Sequence, residues 1–235
     1  MSQLRIRLTP RNLSDLVWEQ WLEGVEEDLP KIRARLHEMF DACEQTRTKM
    51  DYNTGSITLS AALALHLLVR NVQPVSVFEV GTFIGKSTLS MALAMDANGR
   101  GGQIFTCDGS NDFHVPKLSQ VSIKGFPKTT STAALEELAR SGARLDMLHL
   151  DGRLSTRDIE LIEQIADPKA ILAIDDFEGV EKGVANLSLL RGRGFFGQHI
   201  LVYPMTGRVL DKLGCITPNT TALYMPMSAL TFTYQ

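Results

Sequence analysis

Residues Val75 to Ala94 read VSVFEVGTFIGKSTLSMALA, and the fold turns on how this stretch is read. Val75-Ser76-Val77-Phe78 is a short β-branched and apolar run that closes on an acid, Glu79, a pattern that predicts a buried strand. Gly81 and Gly85 frame a turn, after which small and apolar residues resume at helical spacing. The order is strand, tight turn, helix. In an open parallel sheet such a turn sets its backbone N–H groups and the N-terminus of the helix at the carboxyl edge of the strands, where ligands bind. The stretch predicts an α/β fold and a small-molecule site together.

Spacing separates the ligand classes that use a glycine turn. A phosphate-cradling Walker loop needs four residues between its first glycine and the Gly-Lys-Ser, whereas only Thr82, Phe83 and Ile84 stand between Gly81 and Gly85. The dinucleotide fingerprint needs G-x-G-x-x-G, and Thr82 and Phe83 occupy the place of its second glycine. What remains is acid-x-G-x-x-x-G directly after a strand. In the form Glu79-Val80-Gly81-Thr82-Phe83-Ile84-Gly85-Lys86-Ser87 it resembles the first motif of the class I S-adenosylmethionine (SAM) dependent methyltransferases. The likeness is greatest to the catechol O-methyltransferase group and the macrolide-sugar O-methyltransferases. The resemblance implies a Rossmann-like SAM-methyltransferase fold: a mostly parallel seven-stranded sheet with an antiparallel C-terminal edge strand and helices on both faces. It also implies cofactor contacts from Glu79, Gly81, Thr82, Phe83, Gly85 and Ser87. A buried strand-turn-helix without a ligand is the alternative for the motif alone.

Downstream, Gln103 to Cys107 is a second strand ending at Asp108. A carboxylate there can accept both hydroxyl protons of a ribose, with Gly109 beside it; the alternative is an Asx-turn at the strand end. Ser131 falls where the resembled family touches the adenine edge, and equally where Ser131 or Thr130 would cap a helix. Leu145 to Leu150 and Ala170 to Ile174 are apolar strands that deliver Asp151, Asp175 and Asp176 to the same edge. Three carboxylates in one cleft repel unless a cation neutralises them, and oxygen ligands without His or Cys select Mg²⁺ or a similar ion. The resemblance implies the same metal site on these three residues. The other reading makes Asp175 alone catalytic, with Asp151 starting a turn and Asp176 capping a helix. The lysine that serves as base in the catechol enzymes is replaced by Leu154, so the base is not identified. His149 shares the strand face of Asp151, either near the site or as a satisfied core residue.

Upstream, residues 1–54 read as a helical appendage and residues 55–235 as the methyltransferase domain. Trp18, Leu22, Val25 and Leu29 form one apolar stripe, and a second helix starts near Pro30 and runs through Ile32, Leu36, Phe40 and Cys43. In the resembled family such helices cover the active site or contribute to a homodimer; simple packing would use the same stripes. A polar turn over 50–56 leads to an almost wholly apolar helix from Ile57 to Val69, which should be buried, and Thr54 to Ile57 is a further cofactor candidate. Toward the C-terminus the pattern predicts a helix over Phe177 to Leu190, a strand over His199 to Tyr203, and strand-like runs on both sides of Pro226.

A net charge of −3 without a basic stripe argues against nucleic acid as a partner. Cys43, Cys107 and Cys215 are far apart and lack C-x-x-C spacing, so they read as buried thiols in a reducing compartment. His66 interrupts the most apolar helix, which is too short for a bilayer core of about 30 Å; no membrane partner and a cytoplasmic location are expected. The function that follows is methyl transfer from SAM to a hydroxyl of a small-molecule acceptor, assisted by Mg²⁺ at Asp151, Asp175 and Asp176. Asp151, Asp175 and His149 are the catalytic candidates. The alternatives are metal-independent transfer to nitrogen or a carboxylate, and a SAM-binding module without turnover.

Overall fold

The computed structural model describes residues 10–47, 55–109 and 120–230. Seven strands form one sheet: β1 (Ser76–Val80), β2 (Gly102–Asp108), β3 (Val121–Pro127), β4 (Leu145–Leu150), β5 (Ala166–Ile174), β6 (His199–Val202) and β7 (Ala222–Pro226). Their spatial order is β3-β2-β1-β4-β5-β7-β6. β1 to β5 are parallel, and β7 runs antiparallel between β5 and β6. The chain reverses direction across the sheet at β1, with β2 on one side and β4 on the other, and such a switch point opens a crevice at the strand tips. This is the Rossmann-like arrangement expected.

Alternation along each strand divides the core into two layers. Val77, Ile104, Met147 and Ile171 face one layer, and Phe78, Phe105, Leu148 and Leu172 face the other. The first layer is covered by α1 (Pro10–Glu23), α2 (Leu29–Arg47), α3 (Leu59–Val72) and α4 (Lys86–Asn98), the second by α5 (Ser131–Arg140), α6 (Thr156–Ile165) and α7 (Ala185–Arg193). Burying a side chain such as Phe78 stabilises by about 1.5–3 kcal/mol relative to exposure. α3 is apolar on nearly every side because it is buried on nearly every side, from Ser60 to Val69.

The N-terminal helices share this core. Trp18, Leu22, Val25, Leu29, Leu36 and Phe40 are all buried in the first layer. The Trp18 indole N–H donates to the Tyr203 carbonyl at 2.9 Å, and the Tyr203 N–H donates to Ser14 Oγ at 2.8 Å, so α1 is fastened to the end of β6. At the far end of α2, Lys86 Nζ donates to Glu44 at 2.5 Å, and Met39 and Cys43 pack on Phe83 and Ile84. The second helix thus supports the glycine turn from behind.

Three boundaries differ from the sequence reading. α3 starts at Leu59 because Thr58, in extended conformation, accepts from the Ala61 N–H and caps it. Between the second strand and Ser131, where the polar, mixed sequence showed no clear strand, β3 pairs in parallel with β2 at the sheet edge. The helix expected from Phe177 is instead a turn, then a π-helical turn (Val180–Val184), then α7. Asp176 breaks the chain with φ +47, and Gly183 approaches Phe177 so closely that a Cβ would stand 2.4 Å from its Cα. The expectations for residues 48–54, 110–119 and 231–235 lie outside the described residues.

Candidate active site

The glycine turn is shaped by close approach. Gly81 has φ +98, and a Cβ on it would lie 2.9 Å from the Asp151 carbonyl oxygen; only glycine lets β1 and β4 end this close together. The Gly81 N–H donates to the Cys107 carbonyl and the Asp151 N–H to the Val80 carbonyl, both at 2.9 Å, so the ladder continues into the tips. Phe83 follows with φ +45. Its N–H donates to Asp108 Oδ2 at 2.8 Å, which fixes the carboxylate at the end of β2.

These tips enclose a cavity of about 420 Å³, lined by Gly81, Phe83, Asp108, Gly109, Ser131 and Asp151 among the expected residues, by Gly55 from the Thr54 to Ile57 stretch, and by Thr130, Arg153 and Lys182 besides. It is within the usual size range of small-molecule sites. Thr130 caps α5 by accepting from the Ala133 N–H. Ser131 is the next residue, and its hydroxyl lies 3.1 Å from Asp158 Oδ2. A hydroxyl that donates to a carboxylate keeps its lone pairs as acceptors. Cys107 also borders the cleft, but burial first, and then the charges of Glu79 and Asp108, push its thiol up to about 12, so it is not a ready nucleophile.

Glu79, Thr82, Ser87 and His149 form a buried layer next to the cleft and do not line it. Glu79 accepts from Thr88 Oγ1, from Thr106 Oγ1 at 2.6 Å, and meets His149 Nδ1 at 3.0 Å. Burial opposes the charge on Glu79, yet His149 and the hydroxyls of Ser87 and Thr106 together hold the carboxyl below its ordinary range. Burial likewise opposes the imidazolium, and Glu79 raises His149 above its ordinary value. The two therefore behave as a buried ion pair that ties β1 to β4. Gly85, with φ +84, stands at the start of α4 and outside the lining. His149 faces the protein interior, which separates it from the acceptor end of the cleft.

The acid cluster differs from the sequence expectation in one respect that matters chemically. Lys182 Nζ lies 3.0 Å from Asp151 Oδ1 and 2.9 Å from Asp176 Oδ2 and so bridges the two carboxylates. Desolvation opposes its charge, but the two aspartates raise its pKa, so it is an ammonium. Asp175 is turned inward, 4% exposed, and accepts from Thr221 Oγ1 at 2.7 Å and Thr220 Oγ1 at 3.2 Å. Asp151 is pushed up to about 6, chiefly by burial and then by Asp175, against the pull of His149 and Lys182. Asp151 and Asp176 are brought together; Asp175 is beside them in charge but not in the cleft wall. Among the described residues no three His, Cys, Asp or Glu side chains converge as a metal site. Lys182 was hidden from sequence reasoning inside the helix expected over Phe177 to Leu190. The signal that could have exposed it is the pair Gly179 and Gly183 around it.

Residues 78–177 match the family described as Methyltransferase domain. No curated protein matches the chain by sequence. Among solved structures, a methyltransferase from Geobacter sulfurreducens is similar at 18% identity over 80% of this chain and 87% of that one, with a TM-score of 0.51. An O-methyltransferase from Bacillus cereus in complex with SAH is similar at 14% identity over 81% and 89%, also with a TM-score of 0.51. At these identities the likeness is one of fold. Among the described residues no helix is long and apolar enough to cross a membrane.

Proposed function

We propose that this chain, whose residues 78–177 match the family described as Methyltransferase domain, moves the methyl group of SAM onto a hydroxyl oxygen of a small molecule held at the tips of β4 and β5. The observation that carries the reading is the Asp108 carboxylate, fixed by the Phe83 N–H at the edge of a cavity of about 420 Å³ whose other wall is the Gly81 turn. The residues suit the cofactor. Asp108 would accept the ribose hydroxyls, the Ser131 oxygen would accept from the adenine amino group, and the glycine turn would receive the methionine end without a Cβ in the way.

When bound, SAM supplies an electrophilic methyl on a sulfonium. The chain's own residues position the acceptor and take its proton. Asp151, at the β4 tip, is the carboxylate that faces the cleft and would accept the hydroxyl proton. Attack of oxygen on a sulfonium cancels charge, so orientation and exclusion of water are the main contributions expected of the site; effective molarity from positioning can reach about 10⁵ M or more. Oxygen is favoured as the acceptor by this acid at the transfer end of the cleft, and the Bacillus cereus neighbour is itself described as an O-methyltransferase. A Mg²⁺ ion does not fit the acid cluster as it is folded, since Lys182 holds Asp151 and Asp176 and the threonines hold Asp175.

The test is transfer of labelled methyl from SAM to a panel of catechols and sugar diols, with the product carbon assigned by NMR. Label on oxygen supports the reading. Label on nitrogen or a carboxylate in a parallel panel of amines and acids would overturn the choice of atom, and SAM binding without transfer to any acceptor would leave a binding module.

A further inference from the structure

We propose that the Lys182 ammonium is a built-in cation that occupies the position of charge a divalent ion would take between Asp151 and Asp176, so that this site works without bound metal and excludes it. Three linked features of the backbone deliver the ammonium to this point. Asp176 takes φ +47, a conformation that non-glycine residues adopt at a cost. The chain then folds back so tightly that Gly183 lies against the backbone of Asp176 and Phe177, with a Cβ excluded at 2.4 to 2.7 Å. The π-helical turn that contains Gly183, a rare feature frequent at functional sites, carries Lys182. The outcome is an ammonium 3.0 Å from Asp151 and 2.9 Å from Asp176.

A lysine is suited to this position in a way that a metal is not. Mg²⁺ demands about six oxygen ligands in near-octahedral geometry, and the third aspartate of the cluster is committed to Thr220 and Thr221. An ammonium needs only acceptors, and with three N–H groups it can serve both carboxylates and keep one donor for the cleft it lines. That remaining donor would hold the acceptor oxygen next to Asp151. Lys182 is thus a positioning residue for Asp151 as well as its counter-charge. The orientation of the acceptor rests on the methyl-transfer reading; the exclusion of metal does not.

The test separates the two. Mn²⁺ is titrated into the purified full chain, and the loss of the free-ion EPR signal is read for wild type, Lys182→Met and Lys182→Arg, each confirmed folded by circular dichroism. Losing the internal cation leaves two facing carboxylates, and Lys182→Met is expected to bind Mn²⁺ at least about tenfold more tightly than wild type, the factor that 1.4 kcal/mol represents. Lys182→Arg, which keeps the charge, should stay like wild type. If Lys182→Met does not fold, Lys182→Gln is read in the same way. Equal affinity in wild type and the neutral variant, high or low, overturns the proposal, as does tightened binding in Lys182→Arg. Once an acceptor is found, wild-type turnover should be unchanged by EDTA, and Lys182→Met should lose kcat more than SAM affinity. A failure of SAM to bind would sink the methyl-transfer reading while leaving the Mn²⁺ result intact.

Discussion

Asp151→Asn should remove methyl transfer, and its stability relative to wild type should depend on pH in a defined direction. The Asp151 carboxyl is raised from 3.8 to about 6 by burial and by Asp175. The folded chain therefore holds this proton more tightly than the unfolded chain does. The stabilisation that follows is fully present below pH about 4 and is lost as pH rises through about 6. At about 1.4 kcal/mol for each tenfold change in proton affinity, the loss would reach about 3 kcal/mol; with the side chain still 22% exposed, about 2 kcal/mol is the expected size. Asparagine cannot ionise. The stability of the variant relative to wild type should accordingly rise by about 2 kcal/mol between about pH 4 and about pH 7 and level off above that. Any constant cost from the lost Lys182 contact shifts the whole curve and leaves its slope. Urea unfolding of both proteins across this range measures the difference directly. A difference that is flat with pH, or that falls as pH rises, would show that the fold does not oppose the charge on Asp151.

Two further substitutions test the scaffold. Glu79→Ala leaves His149 buried without its partner and two threonine hydroxyls without their acceptor, so thermal unfolding should reveal a loss of about 3–5 kcal/mol; a loss below about 1 kcal/mol would mean the pair is not the tie between β1 and β4 described above. Gly81→Ala combines a positive φ with a contact of 2.9 Å to the Asp151 carbonyl. It should cost about 1–3 kcal/mol in stability and weaken SAM binding measured by calorimetry, whereas an unchanged SAM affinity would place the cofactor elsewhere than on this turn.

How far the sequence reached follows from the range of the forces involved. Most of the strands were legible because alternation and apolar runs are local, and a single glycine turn after β1 constrains where the sheet must open, whereas the order of the strands across the sheet is set by long-range pairing. Gly81, Phe83, Asp108, Gly109, Ser131 and Asp151 could be placed together because strand ends in a parallel sheet share one edge. What alternation could not tell was depth. Glu79, Thr82 and Ser87 belong to the same motif, yet they point into the layer beneath the turn, where Glu79 meets His149 from the neighbouring strand. Parity gave His149 the face of Asp151 but not the partner that claims it. Asp175 was expected in the cleft as a metal ligand or catalytic residue, and two threonines 45 and 46 residues further along bind it instead. Lys182 was missed because its position depends on backbone geometry at Asp176 and Gly183, which a helical period over Phe177 to Leu190 conceals. The appendage helices showed their stripes plainly, but only the structure ties Trp18 to Tyr203 and packs Met39 and Cys43 of α2 on the glycine turn.

The central claim is that SAM binds in the cleft at the strand tips with its ribose on Asp108, and calorimetric titration of SAM into wild type and Asp108→Ala tests it most directly. Charge-assisted hydrogen bonds contribute about 1.5–3 kcal/mol each, and two to a ribose diol imply about 10² to 10⁴-fold weaker binding when the carboxylate is removed. Saturable binding at one site per chain in wild type, lost by at least that lower factor in the variant, is the result expected. No binding by wild type, or equal binding by both proteins, would contradict the account.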